Sequence, residues 1–213
     1  MNPRRSALLT TGAAATALLL GAAPATAQVV LSEGHVDVVE VEFHVDHFHV
    51  HVHDDASGEL DPSEVLLHVV PAAETAVPAD PAYAFLGEPG DPVWILPQSQ
   101  QPGVLFAGWS TEPVEPGVFQ DEELRFELLD VSGPGDFSVF DTTAAGTPDI
   151  RFDSGDGTGD VTTVPVGTHE HTNWAFEAEG DYTVTLEVSG VLLDGTEVST
   201  GPIDYSFTVG ALS

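Results

Sequence analysis

The sequence predicts an all-β fold: a single β-sandwich, immunoglobulin-like or jelly-roll-like, with one long Pro/Ala-rich connection. Three observations predict it. Period-2 alternation of apolar and polar residues dominates the chain, and amphipathic helical periodicity is hard to find. Short alternating runs recur at the spacing of a sandwich, with Gly, Pro and Asp turn signals between them. Finally, 42% hydrophobic residues, with three Trp and eleven Phe among 213, supply a core even at a formal net charge of −31.

The elements follow in order. Residues 1–27 read as a secretory signal peptide. Arg4 and Arg5 form a positive n-region, Ala13 to Ala23 an apolar stretch too short to span a bilayer, and Ala25-Thr26-Ala27 an A-x-A cleavage site. The mature chain is expected from Gln28 to Ser213 as one domain. Val36–Val45 is a Val/Glu-rich strand. In His47–His53, His47, His49, His51 and His53 face one side while Phe48, Val50 and Val52 face the other. Further strands are expected at Val65–Val70, Val93–Leu96, Leu124–Val131, Phe137–Phe140, Ile150–Asp153, Val161–Val166, Trp174–Glu177, Tyr182–Val188 and Ile203–Val209. Pro71–Pro92 is expected to run as a long connection over one end, with a short helical turn. The Gly/Asp-rich stretch Asp153–Asp160 reads as a plain hairpin loop, because its carboxylate spacing misses the EF-hand pattern.

Charge excludes several functions. Four basic residues stand against 35 acidic ones, and of the four only Arg125 and Arg151 lie beyond the signal peptide. A nucleic-acid binder needs basic surface to neutralise phosphates, and so does docking on an anionic membrane. The absence of cysteine removes disulfides, thiolate catalysis and Cys-type zinc sites together. There is no G-x-S-x-G elbow, and the H-E-x-x-H pattern fails because Asn173 stands where its second His belongs.

Histidine placement is the least ordinary feature. Five of nine lie between His44 and His53, one is His35, and two form His169-Glu170-His171. Alternate residues on a strand project side by side, so their imidazoles can converge on one ion, and a carboxylate such as Asp37 or Asp54 can complete a tetrahedral set. The competing reading is a solvated stripe that keeps an edge strand from pairing. The candidate ligands are His35, His169 and His171, then His51 and His53, with His49 and His47 on the same stripe. Asp37 is either a direct ligand or the partner that orients an imidazole. Zinc is the expected ion, with copper and manganese as alternatives.

Several segments together resemble a known family. They are Gly34-His35-Val36-Asp37, Ala84-Phe85-Leu86-Gly87, Val93-Trp94-Ile95-Leu96-Pro97-Gln98, Gly108-Trp109-Ser110-Thr111-Glu112, Gly133-Pro134-Gly135-Asp136-Phe137, Gly167-Thr168-His169-Glu170-His171-Thr172-Asn173-Trp174-Ala175-Phe176 and Gly180-Asp181-Tyr182-Thr183. In that order they resemble the actinobacterial surface-anchored protein domain, also called the choice-of-anchor M domain. The resemblance implies an exported β-rich domain, associated with an ABC transporter of the metal-uptake type. His35, Asp37, His169, His171, Asn173 and Trp174 match its motif positions. His44, His47, His49 and His51 are an enrichment peculiar to this chain. Relatives often end in an anchor, and no sorting motif or apolar span is visible at this C-terminus. A secreted, extracellular or cell-surface protein is therefore expected.

The function these readings favour is a non-catalytic metal-binding protein that buffers zinc, or delivers it to an uptake transporter or its binding protein. The alternative is an extracellular structural or adhesive module. A metal-dependent hydrolase or dismutase comes third.

Overall fold

The computed structural model describes residues 28–212; the signal peptide expected at 1–27 lies outside them. Seventeen strands follow one another, with five short 3-10 turns and no α-helix among the described residues. In chain order they are β1 (Val29–Leu31), β2 (Gly34–His44), β3 (His47–Asp54), β4 (Gly58–Leu60), β5 (Val65–Val69), β6 (Glu74–Ala76), β7 (Pro92–Leu96), β8 (Leu105–Ser110) and β9 (Glu123–Ser132). Then come β10 (Phe137–Thr142), β11 (Pro148–Asp153), β12 (Val161–Pro165), β13 (His169–His171), β14 (Asn173–Phe176), β15 (Gly180–Val191), β16 (Glu197–Ser199) and β17 (Ile203–Val209).

The architecture is a β-sandwich, but one layer is divided. A seven-stranded sheet runs β1-β5-β17-β15-β9-β12, with β16 also on β15. Two five-stranded sheets, β13-β8-β2-β3-β4 and β11-β10-β14-β7-β6, both pack against it. Trp109 of β8 meets Phe126 of β9 edge-on, while Trp174 of β14 and Phe137 of β10 meet Phe207 of β17. Trp109 and Trp174, 6.2 Å apart, join the two halves of the divided layer. One main apolar cluster runs through all three sheets. Interior-facing residues alternate cleanly on β15, where Tyr182, Val184, Leu186 and Val188 are buried.

The break in the divided layer falls at Thr172, where the chain leaves β13 in one half-layer and enters β14 in the other. Two local expectations need correction. The Asp153–Asp160 stretch is not a hairpin loop. β11 pairs β10 and β12 pairs β9, so the stretch turns a corner between sheets, with Asp153 capping Gly155 and Asp160 accepting from the Asp153 amide. The Pro/Ala-rich connection holds two 3-10 turns, Pro71–Ala73 and Pro81–Leu86, but also the short strand β6 paired to β7.

The detail that positions the site is a bulge in β2. Its pairing with both β3 and β8 slips between Asp37 and Glu40. Val38 and Val39 are both wholly buried, so one extra residue is absorbed and alternation resumes in the opposite phase. His35, Asp37, Glu40, Glu42 and His44 therefore share the outer face, while Val36, Val39, Val41 and Phe43 face inward.

Candidate metal centre

Cross-strand register assembles the outer face of the β13-β8-β2-β3-β4 sheet. One row reads His171, Gly108, Asp37, His53, Glu59; the next reads His169, Ser110, Glu40, His51. Further along the hairpin, Glu42 faces His49 and His44 faces His47. Eight of the nine histidines thus lie on one sheet face. The ninth, His68, is buried and bonds the Gly210 carbonyl at 2.8 Å, holding β5 to the chain beyond β17.

Within this face, His35, Asp37, His169 and His171 bring one donor atom each to a common point. His169 Nε2 lies 3.1 Å from His35 Nε2, 3.2 Å from His171 Nε2 and 2.9 Å from Asp37 Oδ1. Asp37 Oδ1 stands 3.9 Å from His35 Nε2 and 4.0 Å from His171 Nε2. A tetrahedral ion with bonds of 2.0–2.1 Å separates neighbouring ligand atoms by about 3.3 Å, and the observed edges bracket that value. Asp37 is 3% exposed, and its Oδ1 has no aligned hydrogen-bond donor even though His169 stands close. A buried carboxylate oxygen left unpaired is costly, and a cation removes the cost.

Several neighbours fix these four side chains. Phe106 on β8 lies flat against His171, ring centroids 3.6 Å apart and planes 10° apart, and meets His35 edge-on. Beneath His171 the chain has Gly108, where a Cβ would fall 2.7 Å from His171 Nδ1. The far nitrogens of two ligands look toward carboxylates: His169 Nδ1 is 3.4 Å from Glu112, and His35 Nδ1 is 3.2 Å from Asp55 without being aligned as a hydrogen bond. A carboxylate at Nδ1 favours the tautomer whose Nε2 lone pair is free for an ion. Burial first, and then the charge of His35, push the His171 pKa down to about 4, with Asp37 pulling the other way. That ring is therefore neutral, and ready to ligate, well below neutral pH.

Strand β13 is only three residues long, and it is clamped from behind. Glu170 points away from the ligands, accepting from Trp109 Nε1 at 3.3 Å and standing 3.4 Å from Arg151 Nη2. Arg151 also pairs with Asp141 at 2.8 Å. At the start of the strand, Thr111 Oγ1 donates to the Pro165 carbonyl and accepts from the Thr168 amide. At its end, the Asn173 side chain bonds Gln98 and the Phe140 carbonyl, and Trp174 is wholly buried.

The remaining candidates sit outside the four-residue centre. His53 faces Asp37 across the strands, but its Nδ1 is 3.0 Å from Glu40 Oε2. Burial works against a charge on His53, yet the hydrogen bond and charge of Glu40, with Asp37 and Asp55, hold its pKa above the usual value. His51, His49 and His47 continue the stripe away from the centre. The convergence expected of four imidazoles on one strand does not occur. His47 and His49 tilt together with ring centroids 4.6 Å apart, but His49 and His51 stack in parallel at 6.4 Å, so the stripe does not close on one point. The group that does converge draws on two strands, His35 and Asp37 from β2 and His169 and His171 from β13. Asp54 is engaged elsewhere, accepting from the Ala56 and Ser57 amides. Sequence reasoning missed Phe106, Gly108, Glu170 and Arg151 as supports. For Phe106 and Gly108 the signal was the apolar run Val104–Trp109, which marks a buried strand without alternation; Glu170 and Arg151 left none.

No protein-family model matches the chain, and no curated protein matches it. Among solved structures, the ASH / PapD-like domain of human CEP192 (PapD-like domain 7) is similar over 43% of this chain at 11% identity, with a TM-score of 0.21. The chain spans 64% of that domain, less than two thirds of its length. The likeness to the surface-anchored domains stands on the sequence motifs alone.

Proposed function

We propose that this protein is a non-catalytic carrier or buffer of a transition metal, zinc fitting best, working outside the cytoplasm. The observation that carries this reading is the buried, unpaired Asp37 oxygen facing three imidazole nitrogens at tetrahedral spacing. Three imidazoles and one carboxylate suit zinc; a square-planar preference would argue for copper, and an all-oxygen octahedron for manganese. Four protein donors close the tetrahedron, whereas a catalytic zinc keeps a position for water or substrate. The ion is then cargo or a structural element rather than a Lewis acid. Cargo is favoured because the centre lies on the outer face of a sheet, with the His169 side chain 34% exposed, so an ion can reach and leave it.

The acidic surface raises the local cation concentration, an effect that salt screens. Among the described residues no helix is long and apolar enough to cross a membrane. The signal-peptide reading and the motif resemblance support export and a partnership with a metal-type ABC transporter or its binding protein. The deciding experiment is metal content and zinc titration of the mature protein beside a His169→Ala/His171→Ala variant. One tight ion per chain, lost in the variant with the fold intact, is the expected result. A parent that binds no tight ion removes the carrier reading and leaves an extracellular structural module.

A further inference from the structure

The histidines outside the centre form a second block at the far end of the same hairpin. His44 stands opposite His47, and Glu42 opposite His49, so the four side chains make a two-by-two patch on one face of β2 and β3. His44 Nε2 is 2.7 Å from Glu42 Oε2. Ring centroids are 5.2 Å apart for His44 and His49 and 4.6 Å for His47 and His49. In the four-residue centre the corresponding separations are 4.7–5.2 Å. Two of the three imidazole pairs on the hairpin, both involving His49, are therefore spaced as they are in the centre.

We infer that the β2–β3 hairpin carries a second transition-metal site, formed by His44, His47, His49 and the Glu42 carboxylate. Three imidazoles with one carboxylate again select zinc, copper or nickel over calcium or magnesium. The two sites differ in preparation. Donor atoms in the centre already converge and Asp37 is buried, whereas the side chains of His44 and His47 are 60% and 59% exposed and His44 is turned onto Glu42. Exposed rings rotate within nanoseconds, so an ion can gather them, but it must hold them against that freedom. The hairpin site is consequently weaker and faster to exchange. It lies about 13 Å along β3 from the row of His53 and Asp37, too far to share an ion with the centre.

The block is also held at a strained turn. Val45, 95% exposed, joins its two sides with a φ of 59°, and the Asp46 amide bonds back to the His44 carbonyl at 2.6 Å. A β-branched residue rarely adopts that conformation, and strain of this kind persists where the surrounding structure fixes it. Here it sets His44 directly across from His47.

The test is zinc titration by calorimetry of the mature chain at physiological salt with excess magnesium, which suppresses binding by scattered carboxylates. Two events are expected, a tight one and a weaker one. A His44→Ala/His47→Ala/His49→Ala variant should lose only the weak event, and His169→Ala/His171→Ala only the tight one. All three hairpin positions are on the outer face, and a thermal melt equal to the parent's verifies the fold. If the triple variant does not fold, His49→Gln replaces it and should still weaken the second event. A weak event that survives loss of the hairpin histidines overturns the proposal, as does a parent with the tight event alone. A single event lost on the hairpin and untouched at His169/His171 would uphold this site and sink the centre.

Discussion

Gly108→Ala isolates the centre from everything else the sheet does. Gly108 lies between Asp37 and His171 in the ladder, with no side chain of its own. An added Cβ would fall 2.7 Å from His171 Nδ1 and 2.9 Å from its Cγ, and would press on the Glu170 carbonyl oxygen. Comfortable contact begins near about 3.5 Å, so Nδ1 of the ring must retreat by about 0.8 Å. The carbonyl belongs to β13, so the strand moves with it. Metal sites hold their ligands within about 0.2 Å, so His171 would leave the proposed coordination set. Affinity for zinc should fall about 10–100-fold, against an overpacking cost of about 1–3 kcal/mol offset by up to about 1 kcal/mol from the stiffer unfolded chain. At a free zinc concentration of about 100 times the parent Kd, binding stabilises the parent by about 2.7 kcal/mol, and a variant weakened about 100-fold by only about 0.4 kcal/mol. For a chain of about 150–250 residues that is a rise in Tm of about 5–10 °C in the parent and about 1 °C in the variant. Differential scanning fluorimetry with and without zinc reads both numbers. A variant with the parent's zinc-dependent rise would refute the placement of His171 among the ligands.

Other expectations follow from the same geometry. Because the His171 pKa is pushed down to about 4 from 6.5, the unfolded chain takes up a proton between those values that the folded metal-free chain refuses. Stability present above pH 6.5 is lost as the pH falls toward 4, by at most about 3 kcal/mol before solvent at the site's outer edge reduces it. His53 contributes with the opposite sign: its raised pKa gives stability that is full below 6.5 and fades as the pH rises through the raised value. Urea midpoints of the metal-free protein at several pH values, with NMR titration of both rings, test this; a His171 midpoint near 6.5 would contradict its burial. Arg151→Met removes the 3.4 Å contact to Glu170 without touching a ligand, and should weaken zinc binding about tenfold through β13. Chelator competition giving the parent's affinity would mean that Thr111 and Trp109 hold the strand unaided. Tyr205→Phe deletes a buried hydroxyl that has no partner, and should raise stability by about 1 kcal/mol; a comparable loss would reveal a buried water bonded there.

The strand runs with strict alternation, such as His47–His53 and Tyr182–Val188, were legible because one buried face imposes the period directly. β8 was not, since Leu105–Ser110 is buried almost throughout and a strand covered on both sides loses its alternation. Of the centre, His35, Asp37, His169 and His171 were readable as ligand types. Their meeting was not, because it depends on β8 lying between β2 and β13 and on a bulge that returns Glu40 to the face of Asp37. The bulge did leave a trace: in Val36-Asp37-Val38-Val39-Glu40-Val41 the doubled valine interrupts the alternation at the residue that slips. The divided layer left no comparable mark, since only Thr172 separates the histidine strand from the core strand that follows it.

Whether the ion is cargo or part of the fold depends on where the free energy of folding resides. The apolar cluster joining the three sheets contains none of the four candidate ligands, and it lies on the opposite face of β2 and β8 from them. Removing an ion from the outer face therefore leaves Trp109, Trp174, Phe126 and Phe207 packed as before. The loss falls on Asp37, left buried and unpaired, and on β13, whose other ties to Thr111, Trp109 and Arg151 remain. Chelation of the zinc-loaded protein should accordingly lower Tm only by the mass-action amount, with near-UV circular dichroism of the tryptophans unchanged. Cooperative loss of the tryptophan signal on chelation would place the ion among the elements that hold the sandwich together. Zinc would then be a structural component, and the carrier reading would give way to the extracellular module.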